Sequence, residues 1–125
     1  MENIKMDIDC DNSPKKKFLK QFNTAFANGN MAFLTEAVTD DIRWVMIGTK
    51  TIEGKDDFVA ALERMKDDMV KEMIIDKIIT HGKEGAANGV MKMENGKNYA
   101  FSDVYVFSSA KGTAIKTITS YVIEV

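Results

Sequence analysis

The residues of this chain best suited to chemistry gather in one stretch, Asn98-Tyr99-Ala100-Phe101-Ser102-Asp103-Val104-Tyr105-Val106-Phe107. Read with the two-residue period of a strand, it puts Tyr99, Phe101, Asp103, Tyr105 and Phe107 on one face. A carboxylate among four aromatic rings is costly to bury unless it is hydrogen-bonded, paired or protonated. Asp103 is therefore a structural anchor or a working acid or base. Burial disfavours its charged form, so its pKa is expected above that of a free aspartate, enough to donate a hydrogen bond to a ligand carbonyl near neutral pH. Tyr105, on the same face, and Tyr121, on the following strand, are the hydroxyls that could assist.

Other chemistries find less support. There is one cysteine, Cys10, and one histidine, His81, so neither an intramolecular disulfide nor a multi-cysteine zinc site can form, and imidazoles cannot cluster around a catalytic metal. No cofactor is expected. His81 sits in a charged turn and reads as exposed, and Arg43 and Glu53 read as surface residues. The chain has 125 residues, 45% hydrophobic and 29% charged, with a net charge of −2. That suits one globular domain with a real core and gives no electrostatic case for nucleic acid. Lys15-Lys16-Lys17 is the only basic cluster and reads as a solvated helical face. No apolar run approaches the ~20 residues of a membrane span, and the N-terminus lacks the pattern of a signal peptide. A cytoplasmic protein without a membrane partner is the expectation.

The elements that must position Asp103 follow in chain order. Ile4, Met6, Ile8 and Cys10 alternate with charged residues, so residues 1–12 read as an arm or a short edge strand. Ser13-Pro14 is a helix start, with serine as cap and proline in the first turn. Phe18, Phe22 and Phe26 form a stripe along this helix, and Asn28-Gly29 ends it. Asn30 caps a second helix through about Val38. Asp40-Asp41 breaks the pattern, Ile42 to Ile47 reads as a strand with Trp44 and Met46 on one face, and Gly48 to Gly54 reads as a loop. A third helix spans Asp56 to about Met69, with Phe58, Ala61, Leu62, Met65 and Met69 at helical spacing. From Met73 onward the pattern is strand and turn: Met73–Thr80, Ala86–Glu94, the Asn95-Gly96 hairpin signal, Lys97–Ser108 and Thr113–Val125. This order predicts an α+β domain over residues 13–125. In the last two strands, Val104, Val106, Ile118 and Val122 are expected to face away from Asp103.

The chain resembles the nuclear transport factor 2-like superfamily, which includes ketosteroid isomerases and SnoaL-like polyketide cyclases. The residues that carry the likeness are Phe22-Asn23-Thr24-Ala25-Phe26-Ala27-Asn28-Gly29-Asn30, then Asp40-Asp41-Ile42-Arg43-Trp44 and Gly48. Ile52-Glu53-Gly54-Lys55 and Gly96-Lys97-Asn98-Tyr99 complete it. The resemblance implies a cystatin-like cone, in which a curved, mostly antiparallel sheet wraps around three N-terminal helices and holds an apolar pocket at its open end. It also implies a homodimer through the outer sheet face. Isomerase-like members use a tyrosine on the first helix, a carboxylate base on the first strand and an acid on a later strand. Here those positions fall on Phe22, Met46 and Asp103. Met46 cannot accept a proton and Phe22 has no phenol, so only Asp103 remains.

The pocket wall is expected to include Phe18, Phe22, Phe26, Trp44, Met46, Phe58, Leu62, Met91, Phe101, Tyr105 and Tyr121. Nine methionines suggest an adaptable lining. Three function classes stay open. One is a protein that binds a small lipophilic molecule with Asp103 as its polar anchor. Another is an enzyme of isomerase or cyclase type, with acid/base chemistry at Asp103. The third is a non-catalytic dimerisation or protein-interaction module using the outer sheet face.

Overall fold

The computed structural model describes residues 4–6 and 13–125, apart from Lys66 and Met69. Among these residues the elements are β1 (Ile4–Met6), α1 (Pro14–Asn28), α2 (Met31–Glu36), β2 (Val38–Met46), β3 (Lys50–Glu53), α3 (Lys55–Met65), β4 (Val70–His81), β5 (Glu84–Met93), β6 (Asn98–Phe107) and β7 (Ile115–Glu124). The strands form one sheet in the order β1-β4-β5-β6-β7-β2-β3. Pairing is antiparallel from β4 through β7 and between β2 and β3. It is parallel where β1 joins β4 and where β2 joins β7. The fold is thus α+β, with helices packed on the concave face of a curled sheet.

The capping residues perform as their chemistry dictates. Ser13 accepts a hydrogen bond from the Lys16 amide, and Gly29 closes α1 in the left-handed region at φ 69°. Asn30 accepts from the Phe33 amide and so starts α2 one residue past that turn. The α1–α2 hairpin buries Leu19, Phe22, Ala25 and Leu34 against the sheet.

Several boundaries differ from the sequence reading. The second helix ends at Glu36, and Val38 already belongs to β2, which runs straight through Asp40-Asp41. A bulge makes this feasible: β2 advances from Val38 to Arg43 while its partner β7 advances only from Ile115 to Thr117. The aspartates sit in the extra residues, where both are solvated. The Gly48–Gly54 segment is not all loop. Gly48, at φ 81°, turns the chain so that Lys50–Glu53 pairs back on β2, setting buried Ile52 opposite Trp44. The third helix ends at Met65, and Met69 lies outside the described residues. Of the N-terminal arm, Ile4–Met6 adds an edge strand to β4, while Ile8 and Cys10 also lie outside.

Bulges decide which residues face the helices. In β4 the register shifts between Ile75 and Lys77, so Ile75 and Ile78 both point inward although they are three apart. Gly89 sits opposite this shift, and a Cβ there would lie 2.0 Å from the Ile74 carbonyl oxygen. A second shift, between Val106 and Phe107, changes the parity of β7. Ile118, Ser120 and Val122 therefore share the face of Tyr105, Asp103 and Phe101, which are their cross-strand partners. The expectation that Ile118 and Val122 face outward is corrected: the outward residues of β7 are Thr117, Thr119, Tyr121 and Ile123.

The lysine cluster also departs from its reading as solvated. Lys15 is 7% exposed. Its ammonium donates to the carbonyl oxygens of Ala110, at 2.8 Å, and Gly112, and lies 4.7 Å from the centre of the Phe107 ring. It fastens the start of α1 to the β6–β7 connection.

Candidate functional site

Asp103 lies at the middle of β6, between Ala87 of β5 and Ser120 of β7. It looks into a cavity of about 250 Å³ between the sheet and helices α1 and α3. Of the residues named from sequence, Phe22, Phe26, Trp44, Met46, Phe58, Leu62, Met91, Phe101 and Tyr105 line this cavity with it. Phe18 stands apart, packing its ring on Phe22, Phe33 and Phe107 at 5.8–6.4 Å between centroids. It supports the wall from behind. Tyr121 is on the outer face, 49% exposed and opposite Ser102, because of the register shift described above.

Two residues not singled out for the site complete its polar part. Asn23, buried in α1, donates to the Leu19 carbonyl at 2.9 Å and to the Tyr105 hydroxyl at 3.2 Å. That hydroxyl in turn donates to Asp103 Oδ2 at 3.4 Å. On the other side, Trp44 Nε1 donates to Ser120 Oγ at 2.9 Å, and the Ser120 hydroxyl hydrogen-bonds the Asp103 carboxyl. Two short relays thus run Asn23–Tyr105–Asp103 and Trp44–Ser120–Asp103. In both, each donor upstream occupies an acceptor site and turns the next hydroxyl proton toward the carboxyl. Asn23 carried a signal in sequence, a polar residue four positions after Leu19 on a helix face that is otherwise apolar. Ser120 carried none, because either parity of β7 presents apolar residues.

Burial is the dominant influence on Asp103 and pushes its carboxyl up to about 6, against the lowering effect of the Ser120 and Tyr105 hydrogen bonds. The residue keeps some accessible surface, but that surface faces the apolar cavity, so its carboxyl is solvated like a buried group. With a pKa near 6 the carboxyl is mostly ionised at pH 7. At neutral pH it therefore accepts a proton or hydrogen bond, and it becomes a donor in mildly acidic solution; the sequence reading had it donating near neutrality. The Tyr105 phenol is held far above its ordinary pKa, chiefly by burial and next by the nearby Asp103 charge. It stays a donor throughout.

The surrounding wall is aromatic where it meets this polar group. Phe22 packs edge-on against Tyr105 with centroids 6.0 Å apart, and Trp44 packs on Phe58 at 5.6 Å. Met46 and Met65 supply softer surface. The polar groups are concentrated on one side: Asn23, Asp103, Tyr105 and Ser120 adjoin one another, and Thr49 lies at the exposed rim. Among the described residues no cluster of three or more His, Cys, Asp or Glu could hold a metal ion. His81 is exposed at the end of β4, and Arg43 pairs with Glu53 at 3.3 Å on the surface. No helix among the described residues is long and apolar enough to cross a membrane.

Comparison with known proteins agrees with this architecture. A nuclear transport factor 2-like protein of unknown function from Cytophaga hutchinsonii is 24% identical and superposes with a TM-score of 0.68, covering 87% of this chain and 99% of the other. A putative ketosteroid isomerase from Kribbella flavida is 9% identical, with a TM-score of 0.74 over 89% of this chain and 78% of the other. A LEH-like epoxide hydrolase from M. tuberculosis is 18% identical, with a TM-score of 0.73 over 87% and 82%. At these identities the likeness establishes the fold. None of the functionally curated proteins matches the chain. The SnoaL-like domain family matches residues 19–116, which hold most of α1, all of α2 and α3, the Asn23–Tyr105–Asp103 relay and Trp44, and the chain belongs to that family.

Proposed function

We propose that the cavity binds a small lipophilic molecule carrying a carbonyl or hydroxyl group, and that Asp103 exchanges a proton with it in isomerase- or cyclase-type chemistry. One observation carries this reading. A single carboxyl is held in an apolar cavity by two oriented hydroxyls, with its pKa raised to about 6. A structural acid has no need of a cavity beside it, and a purely apolar binding site has no need of a carboxyl. At pH 7 the carboxylate takes a proton from a carbon next to a ligand carbonyl, forming an enolate and the neutral acid. Returning that proton to another carbon of the conjugated system shifts the double bond and restores the carboxylate. Tyr105 and Ser120 position the carboxyl. The absence of a base at Met46 and of a phenol at Phe22 separates this site from the steroid isomerase arrangement.

The test pairs binding with turnover. A bicyclic β,γ-unsaturated ketone should raise the thermal midpoint of the protein and convert to its conjugated isomer, read as new ultraviolet absorbance. Asp103→Asn should keep binding within about tenfold and abolish conversion, and Asp103→Leu should weaken binding as well. Equal conversion by wild type and Asp103→Asn would refute the catalytic role. Failure of such ketones and of lipophilic phenols to stabilise the protein would refute the pocket. We also infer a homodimer through the outer sheet face, where Ile79, Val104, Tyr121 and Ile123 are exposed together.

A further inference from the structure

A second cavity, of about 350 Å³, adjoins the one that holds Asp103. Phe26, Leu62, Met65, Met91 and Val122 line both. These five come from α1, α3, β5 and β7, and none is polar, so the boundary between the cavities is made of apolar side chains. Only Leu62 among them is fully buried. The two methionines have unbranched, freely rotating side chains that can swing aside at little cost. Beyond the boundary, Met31 and Met93 continue the apolar lining, and Asn28, Asp68 and Asn95 form an exposed rim.

Size and polarity then constrain the ligand. The Asp103 cavity alone is smaller than the ~300–1,000 Å³ of typical ligand sites, whereas the two joined fall well inside that range. Among the described residues that line the two cavities, the buried polar ones, Asn23, Tyr105 and Ser120, lie with Asp103 in the first, and the second adds only the half-buried Tyr99 and its exposed rim. Resting on the function proposed above, we propose that the two cavities act as one site for an elongated carbonyl compound. Its carbonyl head lies at Asp103, and its hydrocarbon tail passes between Met65 and Met91 into the chamber lined by Met31 and Met93.

A homologous series of methyl ketones, from 2-hexanone to 2-dodecanone, tests this by calorimetric titration below the solubility limit of each member. Each methylene that enters the second chamber should tighten binding about fourfold, the equivalent of ~0.8 kcal/mol per buried methylene. Met31→Gln and Met93→Gln preserve shape, so the short ketones should bind as before while the gain with length shrinks. Met65→Trp, which fills the boundary, should abolish that gain, with circular dichroism confirming the fold. Affinity that stops rising once the first cavity is filled, or a length dependence indifferent to all three variants, would overturn the two-chamber site and leave the pocket intact. If no ketone of the series binds, the carbonyl head at Asp103 fails, and this inference with it.

Discussion

Asp103 connects folding stability to pH in a direction that can be worked out. Its folded pKa, about 6, lies above the ~3.9 of a free aspartate. Between those values the folded state holds the proton that the unfolded state has released. The contribution of Asp103 to stability is therefore greatest below pH ~4, falls as pH rises through the window from about 4 to 6, and levels off above it. The shift of roughly two units sets an upper bound of about 3 kcal/mol on the effect. Urea unfolding of Asp103→Asn between pH 4 and 8 should lack that decline. An NMR titration of the Asp103 carboxyl carbon in the unliganded protein should show a midpoint near 6, and a midpoint at or below ~3.9 would remove the buried-acid account.

Among the elements, the junction of α1 with the β6–β7 connection depends on Lys15. Its ammonium satisfies two carbonyl oxygens and lies against the Phe107 ring, while its carbon stem fills the space beneath the helix start. Lys15→Met preserves much of the stem and removes the donors, leaving the Ala110 and Gly112 carbonyls without that partner. The expected cost is about 1–3 kcal/mol in chemical denaturation. The same change at Lys17, which is exposed, should cost no more than about 0.5 kcal/mol. Equal losses at the two positions would show that the clasp contributes nothing. Because Phe107 also packs on Phe18, loosening this end of α1 should raise amide exchange along its first turns before it alters the cavity.

For the whole molecule, the convex side of the sheet carries Ile79, Val104, Tyr121 and Ile123 in exposed positions, Ile123 being 67% exposed. Ala86 lies between Ile79 and Val104 in register, and Ala100 lies opposite Ile123, so the apolar surface continues across four strands. Soluble monomers rarely leave a contiguous apolar face of this kind open. Light scattering at micromolar concentration should give twice the chain mass, and Val104→Asp should reduce it to the monomer while leaving far-ultraviolet circular dichroism unchanged. A monomer mass for the unaltered protein would contradict the dimer. Since Val104 points away from the cavity, ketone binding should persist in the split form.

Local chemistry in the sequence was sufficient for much of this protein. Ser13, Pro14 and Gly29 delimit the first helix, and Asn30 starts the second, through their own side chains and backbone preferences. The β6 alternation set Asp103 among aromatic rings without reference to any other strand. The rest depended on pairing. In β7, Ile115, Ile118, Tyr121 and Val122 are compatible with either facing, and only the register shift against β6 turns Ser120 inward and Tyr121 outward. In β4, the run Ile74, Ile75, Ile78, Ile79 divides between core and surface because one extra residue opposite Gly89 changes the parity. Lys15 looks like a solvated charge until the β6–β7 connection, some 95 residues away, presents two carbonyl oxygens to it. A strand's period is two, so one inserted residue exchanges its faces, and that insertion is chosen by the fit between neighbouring strands rather than by either strand alone.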